Sequence, residues 1–278
     1  MMHATQPLLS ARNLSTFYPV TGGFWKKTVS QVRAVDGVSL EIHAGEIVAL
    51  VGESGCGKST LGFSLLGLTL PTSGEIELLG NRIDIRDAAS WKNYRRDFQI
   101  VFQDPYTALN PRLTVFELLS EPLKTHGLVP SSGLRAAALE LLRQVGLPED
   151  SLERFPHAFS GGQRQRLCIA RALGVRPKLL VCDEVVSALD VSVQAQIVNL
   201  LLDLRHEHGL ALLFITHDLS LVRSIADRVL VMNAGKVVEE GPTAELFANP
   251  QDEYTRTLIA AVPTLRKKER RTGTVTPA

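Results

Sequence analysis

Apolar residues fall into two rhythms along this chain. Short unbroken runs occupy residues 46–51, 178–182, 210–215 and 228–232, polar at most in the first position. Each has the length of a strand, and none alternates with polar residues, so both faces are expected to be covered. Between and beside them apolar residues recur at helical spacing. Leu61, Phe63, Leu65 and Leu66 do so in 60–68, and Val193, Ile197, Val198, Leu200, Leu201 and Leu204 in 191–204, while 163–173 and 219–226 read as further helices. Covered strands alternating with helices predict an α/β core around a parallel sheet. Ahead of it, 8–14, 32–42 and 75–79 read as strands, with residues 19–31, which hold Gly22, Gly23, Phe24 and Trp25, as a loop. A further strand is expected at 100–102. From Thr114 the pattern turns helical through 134–145 and stops at Gly146 and Pro148. This middle stretch predicts a helical subdomain inserted between two halves of the core.

Composition narrows the picture. A chain of 278 residues with 45% hydrophobic content can bury a sizeable core in one large domain or one domain with a subdomain. The net charge of +1 gives no drive toward nucleic acid. Cys56, Cys168 and Cys182 are far apart, show no metal spacing and suit a reducing compartment. The longest apolar run, 210–215, is far below the roughly 20 residues of a membrane helix. No signal peptide is apparent, so a cytoplasmic location is expected, with any membrane contact made through a partner. Arg266, Lys267, Lys268, Arg270 and Arg271 form a basic tail.

Candidate chemistry begins at Gly52-Glu53-Ser54-Gly55-Cys56-Gly57-Lys58-Ser59, which fits the phosphate-loop pattern G-x-x-x-x-G-K-[ST]. Glycines let backbone amides curl around an anion, and the loop runs into a helix N-terminus. Lys58 is expected to reach the outer phosphates, Ser59 to hold Mg²⁺, and Thr60 to add a hydroxyl. A strand before and a helix after are the context such a loop needs. The second station is the apolar run ending in Asp183-Glu184. Carboxylates at a strand's C-terminal end lie where open α/β sheets bind ligands. Asp183 is the natural second anchor for Mg²⁺, and Glu184 is suited to polarise an attacking water. The third is Phe159-Ser160-Gly161-Gly162-Gln163, where Ser160 can cap a helix and the glycines leave an anion site at its N-terminus.

Ser160-Gly161-Gly162-Gln163 resembles the signature motif of ATP-binding cassette (ABC) ATPases, and almost the whole chain is similar to that family in motif order. The resemblance implies a cassette over 1–245, with an N-terminal antiparallel β portion and a helical subdomain at about 104–175, then an extension and basic tail over 246–278. It implies ATP and Mg²⁺ as cofactors. Tyr18 matches the aromatic that stacks on adenine, with Phe17 competing. Gln103 matches the glutamine that touches Mg²⁺ and the attacking water, His217 the histidine that contacts the γ-phosphate, and Asp190 ends the loop along the dimer seam. Two cassettes would pack head to tail, each completing the other's ATP site. The stretches Gln103-Asp104-Pro105-Tyr106-Thr107-Ala108-Leu109-Asn110-Pro111-Arg112 and Ser187-Ala188-Leu189-Asp190-Val191-Ser192-Val193-Gln194-Ala195-Gln196, with Tyr254-Thr255-Arg256 near the end, resemble the oligopeptide/dipeptide/nickel importer subgroup. That implies a peripheral ATPase on the cytoplasmic face of the inner membrane. Its expected partners are a second cassette (copy or paralogue), two permease subunits contacted around residues 103–121, and, indirectly, an extracytoplasmic solute-binding protein. Val185 stands where the family usually has proline. A non-transport ABC protein and a soluble phosphate-loop kinase are the competing classes; the kinase has no need of Ser160 to Gln163.

Overall fold

The computed structural model describes residues 6–22 and 27–261. β1 (Leu9–Gly22), β2 (Lys27–Ile42) and β3 (Ile47–Val51) precede α1 (Lys58–Leu65), and β4 (Ser73–Leu78), β5 (Asn81–Ile83) and β6 (Phe98–Val101) follow it. A helical run comes next: α2 (Pro105–Ala108), α3 (Val115–Thr125), α4 (Leu134–Gln144) and α5 (Gly161–Leu173). Then β7 (Leu179–Asp183), α6 (Val191–His208), β8 (Ala211–Ile215), α7 (Leu219–Ile225) and β9 (Arg228–Asn233) alternate. β10 (Lys236–Pro242), α8 (Thr243–Ala248) and α9 (Glu253–Ala260) close the described chain.

The strands form two sheets. One is antiparallel, in the order β2-β1-β4-β5; the other runs β10-β9-β3-β8-β7-β6 and is parallel except for β10. This is the expected α/β architecture with an antiparallel N-terminal portion. β3, β7 and β8 are buried along their whole length. Leu180, Cys182, Leu212 and Phe214 face the cluster built with α3–α6, while Leu179, Val181, Leu213 and Ile215 face the cluster shared with α1 and the antiparallel sheet. Both faces are therefore covered, which explains the unbroken apolar runs. α1 lies between the sheets. Leu61 and Leu65 are fully buried there, Ser64 hydrogen-bonds Thr16 of β1 at 2.8 Å, and a Cβ on Gly62 would meet Ile215 at 2.8 Å.

One expectation needs correction. Residues 19–31 are not a loop: Pro19–Gly22 pair with Lys27–Gln31 as the outer end of the β1–β2 hairpin. Beyond Ser15, β1 has lost its second neighbour β4, so Pro19 sits on an edge where its missing N–H breaks no ladder. Phe24 and Trp25 lie outside the described residues, as does the basic tail. Helix starts follow local chemistry. Thr114 and Glu117 form a capping box on α3, and Ser160 and Gln163 form another on α5. That second box moves the start of α5 forward to Gly161 from the expected 163.

Candidate nucleotide site

The parallel register turns residues distant in sequence into neighbours. Leu50 of β3 is opposite Ile215 of β8, Ile215 is opposite Asp183 of β7, and Cys182 is opposite Val101 of β6. The residues at and just beyond these strand ends are therefore at one sheet edge: the glycine loop after β3, Asp183 ending β7 with Glu184 after it, His217 after β8, and Gln103 after β6. This is the carboxyl edge at which open α/β sheets bind ligands.

The loop is shaped by contacts that only glycine permits. Gly57 has φ 109°, and a Cβ there would lie 1.9 Å from the Ala34 carbonyl oxygen of β2. At Gly52 a Cβ would lie 2.1 Å from the Met232 carbonyl oxygen of β9. The Cys56 carbonyl accepts the Gly235 N–H at 2.9 Å. Lys58 is 5% exposed and donates to the carbonyls of Gly52 and Glu53, each at 2.8 Å. Its ammonium thus spans the loop's entrance, while Ser54 and Gly55 remain exposed at the crown.

Ser59 Oγ donates to Asp183 Oδ1 at 2.9 Å, joining the first two stations. Asp183 is 6% exposed, and burial pushes its carboxyl above the usual carboxylate range; the Ser59 hydrogen bond opposes that, the Glu184 charge adds to it, and Lys58 opposes it. A desolvated carboxylate beside a hydroxyl is a hard-oxygen pair with an unmet need for positive charge, which suits Mg²⁺. Such an ion uses one or two carboxylates and fills its shell with water and phosphate oxygens.

Glu184 adopts φ 47°, a left-handed conformation unusual for a non-glycine residue. It is held there by its N–H donating to the Ile215 carbonyl at 2.9 Å, and by its own carbonyl accepting from Ser187 Oγ at 2.9 Å and Ser187 N at 3.1 Å. The turn aims the carboxylate at His217, whose Nδ1 lies 3.5 Å from Glu184 Oε1. His217 stays exposed because Asp218, not His217, caps α7, accepting from Ser220 N and Leu221 N. Gln103 Nε2 reaches Ser187 Oγ at 3.4 Å, so Ser187 links the Gln103 turn to the Glu184 turn. Val185, in the position usually held by proline, is buried in the helical-side core. Tyr18 is 41% exposed on β1 and pairs with Val32 in the strand that carries Ala34 past the loop. Phe17 is covered by the Arg33 guanidinium, 5.4 Å from its ring centre, which leaves Tyr18 as the free ring of the two.

Ser160–Gln163 open α5, whose Gln165 donates to the Phe102 carbonyl beside Gln103 at 3.4 Å. Among the described residues no hydrogen bond joins 160–163 to 52–60. Their helix instead meets the start of α6: a Cβ on Gly162 would lie 2.4 Å from Val193 Cγ1, and one on Gly161 would lie 3.5 Å from Leu189 Cδ2. The exposed Asp190, at the N-cap of α6, belongs to this second surface. Ser160 Oγ accepts from Gln163 N at 3.3 Å, and Gln163 Oε1 accepts from Ser160 N at 3.0 Å. Cys168 and Cys182 are packing residues; burial pushes the Cys168 thiol up to about 11 and the Cys182 thiol further. Ala34 and Met232 contribute to the site without any motif to mark them, and Ser187, the first residue of the family-like 187–196 stretch, contributes through hydrogen bonds. No helix among the described residues is long and apolar enough to cross a membrane.

Residues 35–187 match the ABC transporter family model, and residues 238–277 match the oligopeptide/dipeptide transporter C-terminal region. The chain is 48% identical over 266 residues to the glutathione import ATP-binding protein GsiA of Escherichia coli (strain K12), and equally to that of Shigella sonnei (strain Ss046). Each alignment covers 96% of this chain and 43% of the relative, so the chain spans less than half of those proteins. Among solved structures, the ATP-binding cassette MJ0796, a dimer bound to ADP and Pi after hydrolysis, superposes with a TM-score of 0.74 at 32% identity, covering 84% of this chain and 98% of that one. CbiO1 from Clostridium perfringens, part of the ABC transporter complex cbiONQ, does so with a TM-score of 0.74 at 30% identity, covering 87% and 91%.

Proposed function

The chain belongs to the ABC transporter ATP-binding family, and on that footing we propose that it is the ATP-binding and ATP-hydrolysing subunit of an importer for peptides or a related small solute. The observation that carries the ATPase reading is the junction of Ser59 with Asp183 beside the Glu184–His217 pair, at the mouth of a glycine loop. In this reading the loop amides of residues 52–60 and Lys58 hold the triphosphate, and Tyr18 stacks on the base. Ser59, Asp183 and Gln103 hold Mg²⁺, which neutralises phosphate charge when bound. Glu184 takes a proton from the attacking water, and His217 contacts the terminal phosphate. The left-handed turn at Glu184 keeps the carboxylate in place before substrate arrives, which is the positioning that phosphoryl transfer requires.

The second surface, Ser160–Gln163 with Asp190, supports a head-to-tail pair of cassettes. A helix N-terminus carries partial positive charge and suits a phosphate brought by another subunit. The partners of this reading are a second cassette, identical or paralogous, two membrane permease subunits, and a solute-binding protein reached through them. The chain would act as a peripheral protein on the cytoplasmic face of the membrane. Residues 1–245 serve as the cassette, with 104–175 as its helical subdomain, and 246–278 as the extension. The match to the oligopeptide/dipeptide C-terminal region and the likeness to a glutathione import protein favour a peptide-like solute.

The test is reconstitution in vesicles with the permease pair and the solute receptor. ATP-driven uptake of glutathione or a dipeptide is expected, and it should vanish with Glu184→Gln. Failure to associate with any permease, with ATPase activity intact, overturns import and favours the non-transport alternative.

A further inference from the structure

The phosphate loop is gripped by a helix that no loop motif calls for. Glu53, the second loop residue, donates its backbone N–H to the Tyr254 hydroxyl at 2.9 Å. Tyr254 lies on α9, 201 positions further along the chain. The other polar end of Glu53 is engaged as well: its carbonyl accepts from Lys58 Nζ at 2.8 Å and from the Cys56 N–H at 3.3 Å. The backbone of this residue is therefore pinned on both sides, on one by the loop itself and on the other by the C-terminal helix.

Tyr254 is in turn held firmly. Asp252 caps α9, its Oδ1 accepting from Tyr254 N at 2.9 Å and Thr255 N at 3.4 Å. Glu239 of β10 accepts from Gln251 N at 2.8 Å and Asp252 N at 3.0 Å, which ties the helix entrance to the sheet. Tyr254, Leu258 and Ile259 pack on a cluster containing Val51, the residue immediately before the loop. Burial raises the phenol's pKa, with the Glu53 amide opposing that shift, so the hydroxyl remains a neutral acceptor at physiological pH.

We propose that Tyr254 is a positioning residue for nucleotide binding, its hydroxyl presetting the Glu53 peptide so that the loop amides that follow converge on the phosphates. The C-terminal segment is then part of the ATP site, although it touches no phosphate. The inference rests on the reading that this loop binds ATP. A loop fixed beforehand does not lose its freedom at the moment of binding, and that saving appears as affinity. One neutral hydrogen bond of this kind corresponds to about a three- to tenfold change in an equilibrium constant.

Tyr254→Phe removes the hydroxyl and leaves the ring's packing. Mg·ATP binding to the purified full chain, hydrogen exchange of the Glu53 amide, and the KM and kcat for ATP hydrolysis would be measured. The variant is expected to bind Mg·ATP about three- to tenfold more weakly, to raise KM at unchanged kcat, and to lose protection at the Glu53 amide. Leu142→Ala is the control: it trims buried packing on α4, which takes no part in holding Tyr254 or the loop, and nucleotide affinity should hold even if the melting temperature falls. Binding by Tyr254→Phe within twofold of wild type overturns the inference, and so does an equal loss of affinity in Leu142→Ala. A wild-type chain that binds no Mg·ATP overturns the nucleotide reading and this inference with it. A wild type that binds, beside a Tyr254→Phe variant that binds equally well, overturns this inference alone.

Discussion

Glu184→Gln separates what the site binds from what it does, and the structure sets the size of each effect. The backbone of Glu184 is held by contacts that do not use its carboxylate, through Ile215 and Ser187. The left-handed φ of 47° should therefore survive the isosteric change. The side chain's nearest charged partner, His217 Nδ1, is 3.5 Å away on an imidazole that is 61% exposed, and a pair of that kind contributes about 0–1 kcal/mol. Folding stability should accordingly move by less than about 1 kcal/mol. An amide cannot take the proton of an attacking water. Losing a general base lowers the rate about 10²–10⁴-fold, or about 3–5 kcal/mol on the barrier. Removing one negative charge beside Asp183 also relieves repulsion toward a triphosphate, so ATP binding should be kept or strengthened. Steady-state phosphate release and equilibrium Mg·ATP binding on the same preparation read both quantities. Hydrolysis within threefold of wild type refutes the assignment of the base. Loss of both binding and folding refutes the claim that the turn is held independently of the carboxylate.

Other substitutions test the frame around it. Gly57→Ala sets a Cβ 1.9 Å from the Ala34 carbonyl in a backbone region closed to alanine, and should cost about 2–4 kcal/mol by denaturant titration and abolish ATP binding. Gly162→Ala meets only the side-chain tip of Val193, at 2.4 Å; it should cost about 1–3 kcal/mol, leave binding to the isolated chain intact, and weaken ATP-dependent pairing of cassettes in size-exclusion chromatography. Asp183→Asn should end the strengthening of ATP binding by Mg²⁺ while raising the melting temperature at neutral pH. The sign follows from burial: the folded carboxyl titrates above its unfolded value, so the folded chain binds more protons in that interval and loses stability as pH rises through it. The gain from Asn should therefore shrink as pH falls toward the unfolded carboxyl value, and a gain that persists unchanged in acid would refute the linkage.

What could be read from the sequence, and what could not, divides along physical lines. The parallel core was legible because a strand covered on both faces leaves an unbroken apolar run, as in Leu179–Asp183 up to its carboxylate. The glycine loop and Asp183-Glu184 were legible as candidates because each stands at the end of such a run, whereas Gln103, His217 and Tyr18 were expected only from the family resemblance; parallel register brings the strand ends together. The outer hairpin was not legible. Pro19 and Gly22 are turn-formers by composition, yet an edge strand with one neighbour tolerates them. The grip on the loop was equally hidden. Ala34 and Met232 act through backbone carbonyls, so their side chains carry no signal. Ser187 was marked by the family-like 187–196 stretch, but its bonds joining Gln103 to Glu184 were not. Tyr254 stood out only as part of a family-like C-terminal stretch, and nothing in its spacing points across 201 residues to Glu53.

Left-handed residues occur at several points of this fold, Asn13, Leu79, Arg176 and Ala234 among them, and several local costs also meet where the chemistry is proposed. The left-handed turn at Glu184, the desolvated Asp183, and the glycines at 52 and 57 that give up chain entropy to approach neighbouring carbonyls all lie along one edge of the parallel sheet. The left-handed Glu184 is locally unfavourable by about 1–3 kcal/mol and persists because its surroundings leave it no alternative. Those surroundings are rigid. β3, β7 and β8 are buried end to end, and α1 is clamped between two sheets through Gly62 and Ser64. Strain placed at random would be relieved by small shifts. Strain at the ends of rigid parallel strands cannot be relieved without moving the sheet, so the loop and the carboxylates are already arranged before any ligand arrives. On the proposed reading an incoming nucleotide would have little ordering left to do, and the Mg²⁺ it brings would supply the positive charge that Asp183 lacks.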